Sequence, residues 1–292
     1  MTERLSAWQQ AGQEFNYRGN RIFYRMEGAG EPLLLIHGFP TASWDWHRVH
    51  KSLCERFQVI APDLIGFGFS AKPRAYDYSI MDQADLLERL LEKLEVKSCH
   101  LLCHDYGDSV GQELLARFID RQEKGKAQLE LKTVCFLNGG LFPDMHRPRL
   151  IQKLLISPIG FLLTPFLTKA KLRSNFNAIF GKDTQPGPEE IDEFYALMTH
   201  NNGKAVAHKL IRYMADRKVH GERWVGALRQ NSIPMRLING SQDPISGRHL
   251  ADCYEEKIPE ADVVHLEGAG HYPQTETPDL VLDHYLQFIE RQ

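Results

Sequence analysis

Three residues carry chemistry by type and placement: Asp105, Asp243 and His271. Asp105 sits in Cys103-His-Asp-Tyr-Gly107, a small-x-nucleophile-x-Gly frame. Such a frame marks a tight strand-to-helix bend that pushes the middle side chain outward. Here the slot holds a carboxylate instead of a serine. An ionised carboxylate needs no base before it attacks, and displacement at an sp³ carbon would leave an alkyl ester on the protein. Asp243 lies in Asn239-Gly-Ser-Gln-Asp-Pro244, and His271 in Gly268-Ala-Gly-His-Tyr-Pro273. A histidine oriented by a carboxylate can activate the water that cleaves the ester. Each residue alone says little, since an Asp in a Gly-rich turn is usually a turn or cap residue. Together, at strand ends in the order nucleophile, acid, histidine, they are read as a catalytic triad.

Water attack on the ester creates an oxyanion, which backbone N–H groups would stabilise. The candidate donors are Phe39, in His37-Gly-Phe-Pro40, and Tyr106, which follows the nucleophile. Pro40 has no N–H to give. His37 either fixes the shape of that loop or is a buried structural histidine; both readings stand. Asp108, three residues after Asp105, reads as a favourable charge at a helix N-terminus. A role in raising the pKa of Asp105 is the less favoured reading, because it would hinder a nucleophile. Ser109 lies one turn into the helix, outside the elbow frame. Trp44 and Trp46 read as packing residues.

These side chains need strands to hold them. Phe15 to Tyr17 and Arg21 to Met26 predict a hairpin across Gly19-Asn20. The apolar runs 33–36, 59–61, 99–103, 131–137, 235–238 and 263–266 predict buried strands. Helical spacing marks 46–57, 80–94 with Ser79 as N-cap, the stretch opening at Gly107, 248–256 and 278–289. Alternation of this kind predicts an α/β fold with a mostly parallel, doubly wound sheet. From Phe142 to Gln230 the patterns are helical only. The expected organisation is a core of residues 1–141 and 231–292 with a helical cap, 142–230, over the strand ends where ligands bind. Phe161, Leu162, Phe166, Phe176 and Phe180 predict either a hydrophobic substrate site or ordinary packing.

A formal charge of −3 over 292 residues gives no case for nucleic acid. The five cysteines form no CxxC pair and no metal-ligand spacing, so no metal is expected, and buried thiols in a reducing, cytoplasmic setting are. Residues 1–13 are polar and mixed in charge, without a secretory pattern. The run Leu154 to Leu167 is broken by Pro158, Gly160 and Pro165, so it reads as a lid and not as a transmembrane segment. Oligomeric state is not readable from the sequence.

The whole chain resembles an α/β-hydrolase of the epoxide hydrolase and haloalkane dehalogenase branch. The resemblance rests on His37-Gly-Phe-Pro40, His104-Asp-Tyr-Gly107 and Gly240-Ser-Gln-Asp243. A closer resemblance, to the mesoderm-specific transcript protein subfamily, rests on His104-Asp-Tyr-Gly-Asp108, Asn138-Gly-Gly-Leu-Phe-Pro143, His146-Arg-Pro148, Arg223-Trp-Val-Gly-Ala-Leu228 and His271-Tyr-Pro-Gln274. It implies a hydrolase whose substrates are poorly defined. By resemblance, Tyr213 matches a cap tyrosine that protonates an epoxide oxygen, against the alternative of plain cap packing. A second such tyrosine has no match between Phe142 and Leu172, and Tyr195 sits elsewhere. Dehalogenases carry a tryptophan where this chain has Tyr106, and often an asparagine where it has Phe39. Asn138 stands where some relatives keep the triad acid, a role closed to an amide. The expectation is a hydrolase acting through an alkyl ester on Asp105, epoxide hydrolase-like, on small hydrophobic substrates and water, with no cofactor. The alternatives are a haloalkane dehalogenase and a binding protein on a hydrolase scaffold. Ester hydrolysis by the same site is weaker, because Asp attack on an acyl group forms an anhydride.

Overall fold

The computed structural model describes residues 1–292 apart from positions 127, 128, 146, 148, 158 and 231 and the side chain of Ile151. His146 and Pro148 of the motif above, and position 231 at the expected core boundary, thus lie outside the described residues. Eight strands form one sheet: β1 (Gln13–Tyr17), β2 (Asn20–Glu27), β3 (Glu31–Ile36), β4 (Phe57–Pro62), β5 (Ser98–His104), β6 (Glu130–Leu137), β7 (Met235–Gly240) and β8 (Val263–Leu266). Their order is β1-β2-β4-β3-β5-β6-β7-β8. The β1–β2 hairpin and the β2–β4 pair are antiparallel. All other neighbours are parallel. The inner strands are apolar because both faces are covered. In β3, Leu34 and Ile36 join the core on one face, while Leu33 and Leu35 join the core on the other.

The helices are α1 (Glu3–Gln10), α2 (His50–Cys54), α3 (Ile80–Lys93), α4 (Tyr106–Glu123), α5 (Leu150–Leu155), α6 (Lys169–Asn177), α7 (Pro188–Thr199), α8 (Ala207–Leu210), α9 (Tyr213–Gln230), α10 (Arg248–Lys257), α11 (Pro273–Glu276) and α12 (Pro278–Ile289). Ser79 caps α3 by accepting the Asp82 N–H. The single helix expected over 46–57 is instead a 3₁₀ turn, Ser43–Trp46, followed by the short α2. Its start is held by Asp63, whose carboxylate accepts the Ser43 N–H at 2.8 Å. Helix α1 was not expected. Its apolar signal is only Leu5 and Trp8, both buried, and Thr2 caps it.

Between β6 and β7 the described residues form helices and two further 3₁₀ turns, Gly160–Phe166 and His200–Val206, and no strand. The last of these helices, α9, lies along α4. Its Trp224 indole donates to Glu113 at 2.8 Å, and Arg223 pairs with Asp120. The middle of the insertion closes on the histidine loop instead: Phe176 and Phe180 pack against Tyr272.

Candidate active site

At the end of β5 the chain reverses into α4 with Asp105 at φ +46°. A non-glycine residue there costs about 1–3 kcal/mol and is kept only where the surroundings enforce it. They do. The Asp105 N–H donates to the Leu137 carbonyl at 3.2 Å. Two residues on, a Cβ at Gly107 would stand 2.1 Å from the Ile36 carbonyl oxygen, so only glycine lets α4 leave so close to β3.

The other two strand-end residues converge on this bend. His271 Nδ1 lies 2.7 Å from Asp243 Oδ2, and its Nε2 lies 3.9 Å from Asp105 Oδ1. Asp243 also accepts N–H bonds from Ile245 and Ser246, the Ser246 hydroxyl at 2.8 Å and the Asn138 amide at 3.2 Å. Burial alone would drive its carboxyl pKa up, but the His271 charge and these donors hold it down at about 2. Burial would likewise depress His271, yet Asp243, with Asp105 behind it, lifts the imidazole to about 9. The two shifts run in the direction that favours carboxylate and imidazolium. Asn138, barred from the acid's role, braces Asp243 and clamps Gly240 through both amide atoms. Ser246 escaped the sequence reading, although an Asp followed three residues later by Ser is a local capping pattern.

Phe39 donates its N–H to Asp105 Oδ2 at 3.0 Å. Tyr106 begins α4, and its ring is buried between Phe67 and Tyr213. The two readings of His37 coincide. It is buried, which keeps it neutral, and its Nε2 accepts the Leu64 N–H while Nδ1 faces the Gly38 carbonyl. It fixes the loop without touching the reacting groups. His104 supports the histidine loop by bonding the His271 carbonyl at 2.7 Å.

Tyr213 is buried beside Phe39 and Tyr106, and among the described residues its hydroxyl has no hydrogen-bond partner. Burial and the nearby Asp105 raise its pKa, so it stays protonated. One turn further along α9, Arg217 lays its guanidinium over the Tyr213 ring. It donates to the Asp105 carbonyl at 2.9 Å and to Ser109 Oγ at 2.6 Å, and stands 3.8 Å from Asp105 Oδ1. The sequence reading missed this cation; its only trace is the four-residue spacing from Tyr213. Ser109 is thereby held as an acceptor inside α4.

Asp108 departs from expectation. It is fully buried, with neither carboxyl oxygen hydrogen-bonded to a described residue. Burial, and then repulsion from Asp105, push its pKa well up. Its burial beneath the elbow favours the neutral acid, so it is not a solvated charge on a helix end.

A cleft opens onto Asp105 and His271, walled by Phe39, Leu155, Leu172, Phe176 and Ile179 among others, with Arg149 and Lys171 also on its walls. Of the five insertion residues expected near substrate, Phe176 lines it. Phe180 packs on Tyr272, and Phe161, Leu162 and Phe166 are exposed. Their pattern marked apolar side chains without telling an inner from an outer surface. Trp44 and Trp46 pack as expected. Among the described residues no helix is long and apolar enough to cross a membrane.

Residues 33–284 match the model of the alpha/beta hydrolase family. The chain is 40% identical to the mesoderm-specific transcript protein of Mus musculus over 99% of its own length and 89% of that protein's. It is 28% identical to a cis-3-alkyl-4-alkyloxetan-2-one decarboxylase of Shewanella oneidensis, covering 93% of this chain and 86% of the other. Among solved structures, the epoxide hydrolase CorEH aligns with a TM-score of 0.76 at 21% identity, covering 96% and 98% of the two chains. A loop variant of the haloalkane dehalogenase DbeA from Bradyrhizobium elkanii aligns with 0.80 at 22%, covering 96% of each. With its eight-stranded sheet, its elbow and its sequence kinship, this chain belongs to the alpha/beta hydrolase family.

Proposed function

We propose that the protein hydrolyses small hydrophobic substrates through an alkyl ester on Asp105, with epoxide opening as the leading reaction. One observation supports this above the rest. Asp105 rests with Oδ2 on the Phe39 N–H and with Oδ1 3.9 Å from His271 Nε2. Oδ1 attacks the substrate carbon, the carbon–oxygen bond breaks, and Tyr213 protonates the departing alkoxide. Water, deprotonated by His271, then adds to the Asp105 carboxyl carbon. The oxyanion forms at Oδ2, on which the Phe39 N–H already rests, and the Tyr106 N–H is the second donor of this proposal. The ester collapses to diol and free carboxylate, and Tyr213 regains its proton. Haloalkane cleavage fits less well, because residues 39 and 106 offer no side-chain N–H to a halide.

A second reading has its own support. No tyrosine is among the described residues that line the cleft. A substrate whose leaving group is already a stable anion needs no proton donor. A dialkyl oxetan-2-one is of that kind, since ring opening at its alkyl carbon releases a carboxylate.

The test is a panel of styrene-type epoxides, bromoalkanes, p-nitrophenyl esters and a cis-3,4-dialkyl oxetan-2-one, run on wild type and Asp105→Ala. Diol from epoxides alone, lost in the variant, supports the first reading; turnover of the oxetanone alone supports the second. Intact-mass analysis of His271→Gln should show the substrate ester on Asp105. An unmodified mass after incubation with a turned-over substrate refutes the covalent route.

A further inference from the structure

The outer surface of the helical insertion has no role in the chemistry above, yet most of the large exposed apolar side chains of the described residues lie on it. Among the described residues, the large apolar side chains left exposed include Leu150, Leu154, Ile159, Phe161, Leu162 and Phe166, all within 17 consecutive positions. Leu150 and Phe166 are 73% and 72% exposed. Elsewhere such exposure is scattered, at Met1, Val219 and Leu280. Clustered exposed apolar residues mark an interaction surface, whereas single ones do not.

Charge indicates what that surface meets. Residues 145–182 contain seven Lys and Arg and no Asp or Glu, in a chain of formal charge −3. The 3₁₀ turn 160–166 packs against the turn 200–206 and α8. That neighbouring stretch, 200–215, adds Lys204, Lys209 and Arg212, again without an acid. Lys153, Lys171 and Arg173 are exposed, and among the described residues only Lys169 of these four is seen to pair with a carboxylate, Asp192. An acidic or neutral protein partner would account for one of these two properties. An anionic lipid surface accounts for both, because aromatic and aliphatic side chains enter the headgroup boundary while lysines and arginines meet the phosphates.

The same elements wall the cleft. Helix α5 turns Gln152 and Leu155 toward it and Leu150 and Leu154 to solvent. Leu167, Thr168 and Lys171 line it immediately after the exposed Phe166. We propose that this apolar, cationic face docks on membranes containing anionic phospholipid and sets the cleft against the bilayer, from which an apolar substrate can enter. Docking does not depend on which bond Asp105 attacks.

The test is vesicle co-sedimentation of the full chain, with phosphatidylcholine vesicles and with phosphatidylcholine–phosphatidylglycerol vesicles. Wild type should bind the anionic vesicles at least about tenfold better than the neutral ones, and added salt should weaken the binding. Phe161→Ser/Phe166→Ser and Lys153→Glu/Arg173→Glu should each lower the partition coefficient about tenfold or more. Neither pair lines the cleft, so turnover of a water-soluble substrate should be unchanged in both variants, which also reports on folding. Equal binding to both vesicle types, or full binding by both folded variants, overturns the proposal. So does a concentration-dependent dimer that Phe161→Ser/Phe166→Ser abolishes, since a second copy would then be the occupant.

Discussion

Replacing Asp243 by Asn tests the electrostatics of the site with almost no change of shape. Four donors converge on Oδ2: His271 Nδ1, the Ser246 N–H and hydroxyl, and the Asn138 amide. Among the described residues, Oδ1 accepts from the Ile245 N–H. The amide oxygen of the Asp243→Asn variant must therefore take the Oδ2 position, with its NH₂ facing a single N–H. His271 keeps its orientation and its Nδ1 proton and loses only the neighbouring charge. Asp243 is the chief group that holds the imidazole at about 9 against the opposing effect of burial, so its pKa should fall to 6.5 or below. That drop is on the order of 3 kcal/mol at about 1.4 kcal/mol per unit. The sign follows from linkage. A raised histidine pKa stabilises the wild-type fold fully below about 6.5, and the stabilisation is lost as pH rises through about 9. Asp243, depressed, contributes above its ordinary 3.8 and loses that contribution as pH falls through about 2. Denaturant midpoints measured from neutral to alkaline pH should fall in wild type and stay flat in Asp243→Asn. Loss of about 3 kcal/mol of charge stabilisation should lower turnover on the order of 100-fold. An NMR titration in which His271 of the variant still titrates near 9 would refute the reasoning.

Asp108→Asn should cost less than about 1.5 kcal/mol, because a neutral acid is exchanged for a neutral amide of equal size. Arg217→Met should cost about 3–5 kcal/mol by leaving Asp105 without its buried cation, and urea unfolding of both variants separates the two cases. Gly107→Ala should fail to accumulate as soluble protein, since its methyl carbon would lie 2.1 Å from the Ile36 carbonyl; a normal melting curve would contradict that. Tyr213→Phe should slow epoxide opening at least about 100-fold and leave oxetanone opening within a few fold, so parallel kcat measurements on both substrates discriminate the two readings.

The strand pattern and the strand-end placement of Asp105, Asp243 and His271 were legible because each rests on local signals: apolar runs, a Gly-bounded elbow, and loops at strand ends. The hairpin, all the parallel strands and the convergence of Asp105, Asp243 and His271 follow from them. Arg217 was not legible, since it lies 112 positions from Asp105 and reaches it only because α9 packs along α4. Asp108 was misread for a related reason. Position in a helix gives the dipole it feels, while burial under Gly139, whose Cβ would meet its carboxylate at 2.1 Å, is a tertiary fact. Phe161, Leu162 and Phe166 failed in the opposite sense, because hydrophobicity marks burial on average and this surface is an exception to it.

The charges at the elbow bear on how one histidine serves two steps of the proposed reaction. At rest two anions, Asp105 and Asp243, face two cations, Arg217 and His271, and Asp108 stays neutral. The raised pKa fills His271 with the proton it would need to lack as a base. Alkylation of Asp105 changes this. The ester carries no charge, and Tyr213, having given its proton to the alkoxide, is left as the anion that faces Arg217 and the imidazolium. The imidazolium proton returns to Tyr213, and the histidine pKa falls as Asp105's support is withdrawn. His271 thus becomes a base once there is an ester to hydrolyse. Wild-type single-turnover alkylation should accordingly persist at pH values where His271 of the resting enzyme is protonated, while the hydrolytic step follows a lower apparent pKa. Two identical pKa values for the two steps would exclude this coupling.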